Sequence, residues 1–474
     1  MSAQQIRLPE VSDDTNAMLG GLLKRLDGLA VRNRRLEAYY EAERNLRKIN
    51  GGIVPEQYYR LGLVLGWASK AVDALGRRCN LDRMVWADGT LDDYGYREVW
   101  DDNRLVSEVD QGITDALIYG LTFAVASKGD PSEGEPGGMI HFYSAADATG
   151  ERNPRTRQLE NLLIVRDRDK SNRVRALSLL EDGVTIAAEI VDGKWKIVER
   201  SEHPFGVPAA PLVYRPRLNK PMGRTRLTRP VRALQDAAAR TLVRLEGHMD
   251  AYAFPEFWLL GADLSIFRDE NGNPLPDNAR RLGRYKGIPD DDNAEQPRAD
   301  VKKFDASSPE PQLAALNAYS KLFAREASLP DSSVAITDFA NPTSAESYDA
   351  SQYELIAEAE GATDEFSPAL RHVVPIAMAM QSGLAEVPKE WRSIDTKWRN
   401  PRHISRAAEA DAGGKQIAAV PWLAETEVGL ELLGLDSQQI TRALAERRRA
   451  VAGARMDALI GLGAPEVAPD GVVG

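Results

Sequence analysis

The chain has 474 residues, 43% hydrophobic and 28% charged, with a formal net charge of −11 from 71 acidic and 60 basic residues. The length exceeds one ordinary core and predicts roughly three domains at ~150 residues each. The acidic balance excludes a simple electrostatic binder of nucleic acid, since neutralising phosphates needs a basic face; it leaves open a protein that handles DNA without gripping it. One cysteine, Cys79, excludes an internal disulfide framework and fits a reducing compartment. No cationic-then-apolar leader opens the sequence, and no stretch reaches the ~18 apolar residues of a membrane span. The expectation is a soluble protein used inside a cell, or packed into a particle assembled there.

Residues 13–48 predict a first helix, with Leu19, Leu22, Leu23, Leu26 and Leu29 mostly at 3–4 spacing and Asn50-Gly51-Gly52 as its stop. A second covers Pro55 to Arg78, followed by a strand-like run at Arg83 to Ala87. A third covers Arg97 to Leu121, with Trp100, Leu105, Val109, Ile113 and Leu117 on one stripe. From Phe123 to Arg215 the pattern changes to short β-rich runs. Asp192-Gly193 lies between two alternating runs and signals a hairpin. The N-terminal half therefore reads as α+β.

Val231, Leu234, Ala238, Leu242, Leu245 and Met249 then recur at 3–4 spacing, a narrow coiled-coil-like seam. A helix from Thr228 to Asp250 would be about 34 Å long. Arg229, Arg232, Arg240 and Arg244 fall on its other faces, as a solvated surface, as partners for acidic residues of an adjacent identical chain, or as direct phosphate contacts. So thin a seam predicts that the helix needs neighbours. Strand-like runs at Phe254 to Ala262 and Val301 to Asp305 flank a polar stretch, and Pro309 and Pro311 start a helix with Leu313, Leu316, Tyr319 and Phe323 on its apolar face. The order is helix, compact β-containing insert, helix.

After the loop 330–342, Thr343 and Glu346 form a capping box for a long helix. Pro368 and Pro375 inside its pattern predict that it bends or restarts. The chain from His403 reads as a small helical domain, with Asp436 or Ser437 as the N-cap of a helix over Ile440 to Leu459.

No catalytic motif is present. "DAGGKQ" (411–416) lacks the first glycine and the hydroxyl of a phosphate loop, and the five histidines share no motif. Asp290-Asp291-Asp292 reads as a solvated loop before it reads as a cation site. The expectation is no catalytic residue, no metal and no cofactor.

Three stretches carry a family resemblance: "HPFGVPAAPLVYRPRLNKPMGRTRLTRPVRALQDAAARTLVRLEGHMDAYAFPEFWLLG" (203–261), "NPTSAESYDASQYELIAEAE" (341–360) and "WRNPRHISRAAEADAGGKQIAAVPWLAETEVGLELLGL" (398–435). With weaker similarity in "YYEAERNL" (39–46) and "ALIYGLTFAVA" (116–126), the chain resembles the portal proteins of tailed bacteriophages, above all long-tailed phages of actinobacterial hosts.

The resemblance implies an α+β subunit with an α/β wing, a two-helix stem, a small β-containing clip and a helical crown, closing into a ring of about twelve copies. Carried onto this sequence, the wing is 1–225, completed by 330–400 with a channel loop and the long helix. The stem is 226–251 and 309–329, the clip 252–308, and the crown 401–474 with a frayed tail. It implies a virion protein at the capsid portal vertex, assembled in the host cytoplasm, through which double-stranded DNA is packaged and ejected without sequence-specific binding. Implied partners are identical copies, the major capsid protein, scaffold, the large terminase and the head–tail connector, with no membrane. Asp331, Asp338 and Asn341 are the channel-lining candidates. Arg229, Arg232, Leu234, Leu242, Leu245 and Met249 are the stem contact candidates. Arg280, Arg281, Arg284 and Lys286 at the clip meet the motor or connector, or are solvated. The alternatives are a metal-dependent hydrolase or nucleotidyl-transfer enzyme with carboxylates from distant segments, or another structural virion subunit.

Overall fold

A computed structural model describes residues 6–43, 64–252, 256–262, 268–269, 271–273, 285–289, 300–304, 307–334, 351–402 and 406–463. The chain forms two compact units, residues 1–401 and 402–474. Among the described residues no helix is long and apolar enough to cross a membrane.

The first unit is α+β. Helix α1 (Asp13–Tyr40) is capped by Ser12, whose hydroxyl accepts from the Thr15 amide at 3.0 Å. Its leucines at 19, 22, 23 and 26 pack on one face of an antiparallel meander: β4 (Ala148–Arg152), β5 (Leu159–Arg168), β6 (Val174–Glu181), β7 (Val184–Val191) and β8 (Lys194–Glu202). The period of two is plain in β5, where Leu163 and Val165 face α1 while Leu162 and Ile164 face the opposite side. The predicted hairpin joins β7 to β8, with Asp192 at φ 55° and Gly193 at φ 75°, both left-handed as a type I′ turn requires.

Behind the meander lies a second antiparallel sheet, β2 (Leu121–Lys128) between β3 (Gly138–Ser144) and β9 (Ala209–Val213). Phe123, Val125 and Ala209 face the meander, and Ala124, Ala126 and Leu212 face the main helical core. That core gathers α2 (Trp67–Gly76), α3 (Tyr96–Asp102), α4 (Leu105–Tyr119) and the long helix α7 (Tyr353–Gln381). Strand β1 (Leu81–Trp86) pairs with β13 (Ile394–Trp398), so the chain after α7 returns to the segment after α2.

The structure corrects the sequence expectation at two places and narrows it at a third. The first helix ends at Tyr40, short of residue 48, and Ala42 beyond it sits at φ 55°. The single helix expected over Arg97 to Leu121 is two, α3 and α4, because Arg104 sits at φ 49°. Buried Asn103 stabilises the break: its amide donates to the carbonyls of Val99 (2.8 Å) and Gly138 (2.9 Å), and its oxygen accepts from the Ile140 amide at 2.9 Å. Of the two outcomes expected at Pro368 and Pro375, a bend or a restart, α7 does not restart. Each proline removes one intrahelical hydrogen bond and costs about 3 kcal/mol. Burial of Phe366, Ala369, Leu370, Val373, Val374 and Ile376 around them offsets that cost.

Helix α5 (Arg229–Tyr252) and helix α6 (Glu310–Glu326) pack together. Between them in sequence lies a three-stranded sheet, β10 (Glu256–Ala262) between parallel β11 (Tyr285–Pro289) and antiparallel β12 (Asp300–Phe304). The second unit contains α8 (Arg406–Ala419), α9 (Glu427–Leu432) and α10 (Ser437–Gly463). Asp436 is the N-cap of α10: its carboxylate accepts from the Gln439 amide at 2.8 Å while the Gln439 side chain accepts from the Asp436 amide at 3.2 Å.

Candidate functional site

The helix pair is rooted in the body through a cluster of buried charges. Between β9 and α5 the chain crosses the end of α4, where two backbones nearly touch. Gly120 at φ 105° lies against the Arg224 backbone, and Gly223 at φ 70° lies against the carbonyls of Gly120 and Tyr214. A Cβ at either position would be strained and would clash. The crossing is closed by the Tyr214 amide donating to Gly120 (3.0 Å) and the Arg226 amide donating to Leu117 (2.8 Å).

The crossing drives Arg226 into the core, where its side chain is 4% exposed. Its guanidinium donates to the carbonyl of Ala71 in α2 at 2.7 Å, to the carbonyl of Ala327 just past α6 at 2.6 Å, and to the Tyr214 hydroxyl at 3.1 Å. It also forms an ion pair with Glu358 of α7. Glu358 Oε1 takes Arg215 at 2.8 Å and the Tyr214 hydroxyl as further donors. One arginine thus joins the start of α5, the end of α6, α2 and the long helix.

Burial alone would raise the Glu358 pKa, but the Arg226 charge and hydrogen bond, with Tyr214 and Arg215, outweigh it and hold the carboxyl below its ordinary value. Burial works against the Arg226 charge too, and Tyr214 and Glu358 more than restore it. A depressed carboxyl contributes stability that is present above the unfolded pKa and lost as pH falls through the folded one. The stability difference between the wild type and Glu358→Gln is therefore expected to be constant near neutrality. It should shrink below about pH 4.3, the unfolded glutamate value, as followed by denaturant titration across pH.

Further contacts tie α5 to the body. Gln235 Oε1 accepts from the Ala68 amide at 2.8 Å, serving an orphan donor in the first turn of α2. The Tyr39 hydroxyl donates to Asp236 at 2.8 Å, and the Arg232 guanidinium lies over the Tyr39 ring at 5.6 Å. On α6, Phe323 packs against Trp67 with ring centroids 5.2 Å apart.

Away from this root the apolar seam comes to the surface. Val231 and Ala238 are buried; Leu234, Leu242 and Leu245 are half-buried; Met249 is 46% exposed and Arg229 is exposed. On α6, Leu313 near the start of the helix is 39% exposed; Leu322 is 49% exposed but stands beside Phe323 of the root and on the opposite face of the helix. Asp331 is exposed in a short 3-10 turn, Asp331–Ser333, after α6. Lys286 falls on β11, whose backbone alone is described. Asp338, Asn341, Arg280, Arg281 and Arg284 lie outside the described residues, as do the Asp290–Asp292 run and the Thr343–Glu346 capping box. Among the described residues no three His, Cys, Asp or Glu side chains are grouped to hold a metal ion.

Arg226 and Glu358 were not singled out from the sequence. A signal existed for one of them: Glu358 stands on the apolar stripe of α7, three residues after Leu355 and four before Ala362, both buried. Arg226 had no such mark in "GRTRLTRP".

The model of the family described as "Phage portal protein, SPP1 Gp6-like" matches residues 26–451. The class is thus a structural protein of bacteriophage virions. The chain belongs to the SPP1 Gp6-like phage portal protein family. It is 27% identical over 388 residues to the portal protein of Mycobacterium phage L5, covering 80% of this chain and 77% of the relative. The portal protein of Mycobacterium phage D29 matches with the same identity and coverage, 27%, 80% and 77%. Among solved structures, a chain from the virion of a native gene transfer agent particle is 14% identical, with 85% of this chain and 99% of that chain covered and a TM-score of 0.38. A chain from the neck of an empty gene transfer agent particle, computed with C6 symmetry, is 15% identical at 82% and 95% coverage with a TM-score of 0.40.

Proposed function

We propose that this chain closes with about twelve identical copies into a ring at one capsid vertex, as head-to-tail interfaces allow. Double-stranded DNA passes along its axis during packaging and ejection. The observation that carries the ring is the apolar seam of α5 and α6, rooted firmly at one end and left open to solvent at Met249 and Leu313. An exposed seam on paired helices is covered by a complementary face of a neighbour's helix pair.

In this reading α5 and α6 are the stem, with Arg229, Leu234, Leu242, Leu245 and Met249 facing adjacent copies. Arg232 serves that interface by fixing α5 on Tyr39. The β10–β12 sheet belongs to the clip, whose Arg280, Arg281, Arg284 and Lys286 meet acidic surfaces of the large terminase or the head–tail connector. Asp331, Asp338 and Asn341 line the channel. The acidic balance of the chain supports a conduit, since each neutralised phosphate adds affinity and hence drag. Capsid protein and scaffold are the partners during assembly in the host cytoplasm. The chain performs no catalysis; nucleotide hydrolysis belongs to the separate motor docked on it.

Light scattering of the purified protein, followed by imaging of the large species, tests this. The expected result is a closed ring with an axial hole wide enough for a ~20 Å duplex. A species that stays monomeric or dimeric even with scaffold and capsid protein present would end the portal reading.

A further inference from the structure

The second unit carries a surface unlike the rest of this acidic chain. Helix α10 (Ser437–Gly463) holds five arginines against two carboxylates. Its residues 446–456 are all exposed. Arg447 pairs with Glu425 of the same unit at 3.2 Å. Arg442, Arg448, Arg449 and Arg455 are exposed and have no carboxylate within ion-pair distance among the described residues.

Their arrangement is regular. Arg442 and Arg449 are seven residues apart, and so are Arg448 and Arg455. At 3.6 residues per turn each pair forms a column along the helix, and the two columns stand about 120° apart. The strip between them is floored by Ala445 and Ala452, small side chains that keep nothing polar between the guanidinium groups. The carboxylate positions 446 and 457 fall beyond the Arg442 column, away from that floor.

We infer that α10 is a docking surface for the phosphate backbone of duplex DNA. The inference rests on the conduit reading for the presence of DNA, and on the arginine columns for its recognition; it concerns DNA held outside the axial channel, where phosphate contacts add no drag to passage. A helix about 10–12 Å across fits a major groove about 12 Å wide. Arginine columns on its two flanks then reach the phosphates of the two groove walls. An alanine floor reads no base edge, so binding is independent of sequence. The unpaired state of the four arginines is the decisive feature: a merely solvated face on an acidic chain has carboxylates near enough to pair, as Arg447 and Glu425 do. The Arg448–Arg455 column itself lines an open trench with Leu444, Val451, Ala452 and Glu427, which offers a second copy of the chain as the competing occupant.

The test is fluorescence anisotropy of the full-length protein with a labelled mixed-sequence duplex of about 14 base pairs, short enough to engage one α10, at 50 to 200 mM salt. Four neutralised phosphates predict a log–log salt slope of about −3.6 and an affinity loss of about a hundredfold over that range. The variant Arg442→Gln/Arg448→Gln/Arg449→Gln/Arg455→Gln should lose most of the affinity and flatten the slope. The matching quadruple lysine variant should keep both, and a scrambled duplex should bind equally. Wild-type affinity and slope in the glutamine variant would overturn the inference. So would a glutamine variant that changes particle mass in light scattering while DNA binding is untouched, because the arginines would then face another copy. Loss of rings with salt-dependent binding intact would sink the conduit reading and leave this surface standing; rings without binding would sink only this surface.

Discussion

Arg226→Leu is expected to cost the residue 1–401 unit about 3–5 kcal/mol, the usual penalty for removing one partner of a buried ion pair. The reason lies in what is left behind. Glu358, with its side chain 5% exposed, would keep only Tyr214 and the half-exposed Arg215 against its charge. Its Oε2 has no hydrogen-bond partner even with Arg226 in place. The carbonyls of Ala71 and Ala327 would each lose a donor as well. Since whole domains are stable by only 5–15 kcal/mol, the variant should unfold at much lower denaturant concentration. The double variant Arg226→Leu/Glu358→Leu separates charge from packing. If the uncompensated carboxylate is the main cost, the double variant recovers a large part of the loss in a denaturant titration. A double variant as unstable as the sum of the singles would show that Arg226 acts through the two carbonyls instead.

Met249→Glu/Leu313→Glu should have the opposite profile: nearly unchanged subunit stability and no rings. Both side chains are exposed, at 46% and 39%, so a polar replacement falls in the class of surface changes worth within about 0.5 kcal/mol. In a ring each substitution recurs at every interface and places a carboxylate in an apolar contact, and a buried unpaired charge is costly. Light scattering is expected to drop from the assembled mass to that of a single chain, while the denaturant midpoint stays in place. Rings of wild-type mass in this variant would move the subunit contacts away from the α5–α6 seam. A shifted midpoint would mean that the two side chains support the subunit fold itself.

The two predictions separate along the line between what is local in the chain and what is not. Helix α5 was legible from its 3–4 apolar spacing, and the structure extends it only to Arg229–Tyr252. The Asp192-Gly193 hairpin was legible because two consecutive left-handed residues suit that dipeptide. The α10 cap at Asp436 was legible because a cap acts over three residues. The resemblance of whole stretches identified the family to which the chain belongs.

Contacts between distant residues were not legible. Arg226 and Glu358 stand 132 residues apart, and nothing near Arg226 distinguishes it from the solvated arginines that follow it. The break at Asn103-Arg104 depends on the carbonyl of Gly138 and the amide of Ile140, groups that arrive only when β3 is in place. The prolines of α7 are tolerated because both sheet and helices bury their neighbours, a gain no local propensity contains.

The sequence by itself determined the periodic elements, the caps and turns, the acidic balance and the family, since each of these rests on spacing along the chain or on composition. The tertiary structure alone decided which charges are buried, where one predicted helix breaks and another persists, and which arginines have no partner. Burial and pairing are properties of groups brought together in space, and desolvation gives them energies larger than the local preferences they override.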